Sequence, residues 1–174
     1  MTTDQALRFA RATAELELAW LEEPTRAEDI IDRQRLCHRT PIPILGDDSV
    51  WSPAGVVAET GSGRCHGVSL KIARSGISAS TLIAGYCETA GVQLLIGSQG
   101  ESSTGTRHAL AYALSRESTS RHPAELGYYL RLGDDLATEP LEVSGGELCA
   151  HRATGAGITI DEDKLRHYAE RARD

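Results

Sequence analysis

Short apolar runs recur along the chain, each ending in a polar residue and each preceding a longer stretch with helical spacing. Leu18-Ala19-Trp20-Leu21 runs into Glu22, Ile42-Pro43-Ile44-Leu45 into Gly46-Asp47, Val68-Ser69-Leu70 into Lys71, and Val92-Gln93-Leu94-Leu95-Ile96 into Gly97-Ser98. Runs this short that are apolar on both faces, with helical stretches between them, read as buried parallel strands. The stretches between them read as helices: 4–14, 27–39 with Ile30, Ile31 and Leu36 on one side, 53–60 opening on a proline, 78–90 closing at Gly91, and 106–114. A fifth strand is expected at Ala124-Glu125-Leu126. Beyond it, Leu141 to Leu148 reads as a hairpin turning at Gly145-Gly146, and Ile158-Thr159-Ile160 as a strand leading into a helix capped by Asp161.

The step from Glu22 to Asp47, and again from Asp47 to Lys71, is one strand-plus-helix unit. An open doubly wound sheet gives similar steps but gathers its site at a single crevice. A barrel instead brings the C-terminal end of every strand around one mouth. Ionisable residues at three successive strand ends therefore favour a barrel. A full barrel has eight strands and about 250 residues. A chain of 174 residues with four clear strands and a fifth reads as an α/β fold carrying part of a (β/α) TIM-type barrel. Such a part exposes strand edges that invite pairing, so the expected partner is a second copy in a homo-oligomer or a separate N-terminal half.

The strand ends also carry chemistry. Glu22 and Asp47 are hard oxygen donors on adjacent strands, a pair suited to Mg²⁺, with Mn²⁺ as an alternative. Lys71 ends the next strand. A lysine beside a divalent cation is favoured in its neutral form, and a neutral amine can abstract a proton next to a carboxylate. The enediolate that results carries negative charge that a cation can neutralise.

The ordered motifs resemble the C-terminal part of the enolase superfamily, in its mandelate racemase/muconate lactonizing family. Trp20-Leu21-Glu22-Glu23-Pro24 is similar to that family's fourth-strand motif, Pro43-Ile44-Leu45-Gly46-Asp47-Asp48-Ser49 to its fifth, and Val68-Ser69-Leu70-Lys71-Ile72-Ala73-Arg74-Ser75-Gly76 to its sixth. Gly97 to Thr106 resembles the seventh-strand loop, Ala124-Glu125-Leu126 falls where the eighth strand carries an acid, and Ala153 to Asp161 resembles the closing segment. The resemblance implies barrel strands 4 to 8 over residues 1–130, and a C-terminal extension over 131–174 that packs toward a capping domain. It implies Glu22 and Asp47 as Mg²⁺ ligands, Lys71 as the base and Glu125 as a substrate-facing catalytic acid. Asp48, Ser98 and Glu101 would face the substrate or support those groups. The substrate would be a small carboxylate, and the reaction racemisation, cycloisomerisation or dehydration. The family's capping domain, its second-strand lysine pair and its third-strand metal ligand have no counterpart in this sequence. A catalytically incomplete chain that needs a second one to close the barrel is therefore the alternative expectation.

Composition narrows this further. The net charge of −7 and pI of about 5.4 make nucleic acid an unexpected partner. No apolar stretch is long enough for a membrane span, and the first residues lack the pattern of a signal peptide. Four cysteines without a paired spacing read as reduced thiols, which suits the cytoplasm. No strand is followed by Gly-x-Gly-x-x-Gly, and the Gly97 to Gly105 loop lacks the Gly-Lys-Ser/Thr ending of a phosphate-binding loop.

Overall fold

The computed structural model describes residues 1–139, 141–150 and 157–171. Residues 153–156 of the expected closing segment lie outside them. The chain divides into two compact units, Met1–Leu95 and Ile96–Asp174. The boundary expected at 130/131 falls inside the second.

In the first unit, helix α1 (Thr3–Ala12) is opened by a reciprocal cap: the Thr2 hydroxyl accepts from the Gln5 amide, and the Gln5 side chain accepts from the Thr2 amide. Its Ala6, Leu7 and Ala10 join Leu36 and Cys37 of α2 (Ile30–Arg39) in one apolar cluster with Leu21, Ile42 and Ile44. The sheet runs in chain order: β1 (Leu21–Glu22), β2 (Ile44–Gly46), β3 (Gly67–Leu70) and β4 (Gln93–Ile96). The β1–β2 and β2–β3 pairs are parallel. Helices α2, α3 (Pro53–Gly61) and α4 (Ile72–Ala90) connect the strands in turn. Every residue of β2 and β3 is buried, which is why these runs show no polar alternation. Helix α4 starts directly after Lys71 but breaks at Gly76, and the helix expected from Ser78 is the part beyond the break.

The second unit carries α5 (Ser103–Leu114), α6 (Glu117–Ser120), a 3₁₀ turn over Tyr128–Arg131, the hairpin β5 (Val143–Ser144) and β6 (Glu147–Leu148), and α7 (Glu162–Arg171). The expected hairpin is present, with Gly145 and Gly146 both at positive φ in its turn. Asp161 Oδ1 caps α7 by accepting the Asp163 and Lys164 amides, both at 3.0 Å. Asp135 serves the start of α5 in the same way from far along the chain, accepting the Ser103 amide at 2.8 Å and its hydroxyl at 2.7 Å.

Three expectations are corrected, the first being Ile158-Thr159-Ile160, which forms only an isolated antiparallel bridge between Ile160 and Ala137. Ala124-Glu125-Leu126 forms no strand; the Glu125 amide donates to Ile96 O at 2.9 Å, a single bond that does not extend into a ladder. Ile30 and Ile31 of α2 are 52% and 83% exposed, and the buried face is Arg33, Leu36 and Cys37. The i, i+3, i+4 stripe is intact, but a charged residue occupies one of its positions.

Candidate active site

Parallel pairing in register sets the ends of β1, β2 and β3 side by side. Glu22 is level with Leu45, and Gly46 with Val68, so Glu22, Asp47 and Lys71 succeed one another across three C-terminal strand ends. Lys71 Nζ donates to Asp47 Oδ2 at 2.7 Å, with both side chains largely buried. Arg74, one turn into α4 and 5% exposed, donates through Nη2 to Asp47 Oδ1 at 3.0 Å and to the Asp47 carbonyl at 2.9 Å. The guanidinium lies 4.9 Å from the Trp51 ring centroid, a cation–π stack that fixes its plane. Both oxygens of Asp47 thus face a cation.

The residues around this pair were not all legible in the sequence. Glu23, next to Glu22, has φ of 34°, in the left-handed region that residues other than glycine seldom adopt. Its side chain turns to the β2 loop, and Oε2 accepts the Asp47 amide at 2.5 Å and the Ser49 hydroxyl at 3.0 Å. Arg33, 2% exposed, lies 2.8 Å from Glu23 and 3.2 Å from Glu59, and Glu59 pairs with Arg64 at 2.9 Å. A cleft of about 610 Å³ opens beside these groups, lined by Glu23 to Glu28, Asp48 and Trp51.

Asp48 is 69% exposed and approaches Arg74 Nη1 at 3.5 Å, whereas the Lys71 ammonium pairs with Asp47. Trp51 is 55% exposed. Ser98, Glu101 and Glu125 belong to the second unit. The Ser98 hydroxyl donates to Glu101 Oε2, which also accepts the Gln99 amide at 2.9 Å, so the two side chains close their own loop. Glu125 is exposed.

As metal donors, Glu22 and Asp47 have the right chemistry for part of a Mg²⁺ shell, which usually takes one or two carboxylates and fills the rest with water or substrate. Among the described residues no group of three or more His, Cys, Asp or Glu side chains is arranged to hold a metal.

Residues 1–164 match the family model described as enolase C-terminal domain-like. The chain belongs to this family. Among its relatives, muconate cycloisomerase 1 of Pseudomonas putida is 30% identical over 169 residues, covering 96% of this chain and 44% of the relative. The L-Ala-D/L-Glu epimerase of Thermotoga maritima is 30% identical over 137 residues, covering 78% of this chain and 39% of the relative. A crystal structure of a muconate lactonizing enzyme from Mucobacterium Smegmatis superposes with a TM-score of 0.91 at 37% identity, covering 96% of this chain and 47% of that one. This member of the enolase C-terminal family therefore spans less than half the length of these relatives. Cys37, Cys65, Cys87 and Cys149 are unpaired in the structure, and no described helix is long and apolar enough to cross a membrane.

Proposed function

We propose that this chain supplies the part of a (β/α) barrel that starts at its fourth strand, in an enzyme that abstracts a proton α to a carboxylate. The reading is carried by the succession of Glu22, Asp47 and Lys71 across three adjacent parallel strand ends, in a chain of this family. Glu22 and Asp47 would hold Mg²⁺, or Mn²⁺ in its place. The bound cation would neutralise the charge that develops on the substrate carboxylate.

The chain's own groups do the rest. The Asp47 carboxylate holds Lys71 Nζ at the strand ends, and the amine takes the α-proton once it is off Asp47 and has lost its own proton to solvent. Arg74, clamped between Trp51 and Asp47, keeps that carboxylate from turning away. Glu125 is the candidate acid toward the substrate, and Ser98 and Glu101 shape the loop after β4. The product is an epimer, a lactone or a dehydrated acid, according to the fate of the enediolate. The free edge of β1 in the described sheet is where further parallel strands would pair, from a second copy or an N-terminal half.

The test is α-proton exchange into deuterated solvent by Lys71→Ala, assayed with the remaining barrel strands present. Exchange falls by at least about a hundredfold if Lys71 is the base. Undiminished exchange removes it from that role.

A further inference from the structure

The second acid of Glu22-Glu23-Pro24 has no part in the chemistry above, yet its side chain joins β1 to the β2 loop and to α2. Glu23 Oε2 accepts the Asp47 amide at 2.5 Å, the Ser49 amide at 3.4 Å and the Ser49 hydroxyl at 3.0 Å. Its other oxygen, Oε1, lies 2.8 Å from Arg33 Nη2. Arg33 also donates to Ser49 Oγ at 2.7 Å and to Ala27 O at 3.2 Å, and it reaches Glu59 at 3.2 Å. With Arg64 on Glu59, two acids face two bases, and the cluster is neutral.

Within it, Glu23 Oε1 and Glu59 Oε2, buried without a hydrogen bond, are held only by their ion pairs to Arg33. Glu23 commits Oε2 to the turn that carries Asp47 and sets Oε1 against Arg33, which makes it a tie between β1 and the β2 loop. Its backbone, at φ 34°, ends β1 directly after Glu22. Its side chain grips the turn that presents Asp47. The distance between two carboxylates on separate strands is thereby set by one residue covalently next to the first and hydrogen-bonded to the backbone of the second. Groups that orient ligands in this way contribute to affinity without touching the metal.

We propose that Glu23, backed by Arg33, is a positioning residue that fixes the spacing of Glu22 and Asp47 and through it the affinity of the site for a divalent cation. The proposal rests on the reading that Glu22 and Asp47 hold that cation.

The test uses the full chain and Mn²⁺ alone, with bound Mn²⁺ counted by electron paramagnetic resonance and amide hydrogen exchange followed at Asp47 and Ser49. In Glu23→Ala, Mn²⁺ affinity drops about tenfold or more, and both amides exchange faster. Glu23→Gln keeps an acceptor and folds more readily; it shows a smaller loss in the same direction. Glu59→Gln also disturbs the Arg33 cluster but leaves the Asp47 turn alone, so its Mn²⁺ affinity is unchanged. If Glu23→Gln and Glu59→Gln lose stability alike while neither changes Mn²⁺ affinity, Glu23 is merely structural and the proposal is overturned. If Asp47→Asn binds Mn²⁺ as well as the unsubstituted chain does, the reading of the site falls, and the proposal with it.

Discussion

Replacing Arg33 by methionine removes a guanidinium that is 2% exposed and faces two carboxylates, each 12% exposed. The two do not suffer equally. Glu59 keeps Arg64, with Nε at 3.0 Å and Nη2 at 2.9 Å, so its charge stays paired. Glu23 keeps three neutral donors on Oε2 but loses the cation that faces Oε1. One buried carboxylate, not two, is left without a countercharge. Breaking a buried pair from one side costs about 3–5 kcal/mol, and the retained donors place Arg33→Met near 3 kcal/mol. In a chain of this length that lowers the thermal midpoint by about 6–12 °C. Arg33→Lys keeps the charge but not the planar fork that reaches Ala27, Ser49, Glu23 and Glu59 together, so it falls between. Urea unfolding monitored by circular dichroism near neutral pH measures both. A loss below about 1 kcal/mol for Arg33→Met, the value of an exposed ion pair, would refute the reasoning.

Separate parts of the fold give further tests. His66 Nδ1 accepts the Ile44 amide at 3.0 Å, and burial, with the charge of nearby His38, holds its pKa below the usual histidine value. Its contribution is therefore complete above about pH 6.5 and is lost as pH falls through the lower folded value; His66→Gln flattens that part of the stability–pH curve, and a slope unchanged by the substitution would assign it elsewhere. Burial pushes the Cys37 thiol up to about 11 and those of Cys65 and Cys87 to about 12, while Cys149 is exposed. Ellman titration should find one fast thiol in the native chain and four after denaturation; a second fast thiol would contradict the packing of β2, β3 and α4. A Cβ at Gly105 would meet Glu101 Cβ at 2.6 Å. Gly105→Ala should cost about 1–3 kcal/mol and break the Ser98–Glu101 lock, read from unfolding curves and hydrogen exchange at Gln99.

The strand ends could be read from the sequence because buried parallel strands are continuous apolar runs, and the first polar residue after each marks the end. Glu22, Asp47 and Lys71 were legible for that reason. Glu23, Arg33 and Arg74 were not, because each works across elements and has no local pattern. Arg33 left one trace: a charge inside the buried stripe of α2, where Ile30 and Ile31 draw attention to the exposed side instead. Ala124 to Leu126 has a strand's spacing from the preceding helix but makes only one backbone bond, a tertiary outcome that composition does not encode. Asp48 lies one residue from the acid that pairs with the lysine, and sequence adjacency does not rank the two. Lys71 takes the more buried Asp47, and the solvated Asp48 turns to Arg74.

A crystal of the chain soaked in Mn²⁺ and measured at the manganese absorption edge tests the central claim most directly. The expected result is an anomalous peak about 2.1 Å from carboxylate oxygens of both Glu22 and Asp47, with Lys71 shifted off Asp47 Oδ2. A peak held by other side chains, or none while Lys71 and Arg74 keep both oxygens of Asp47, would contradict it.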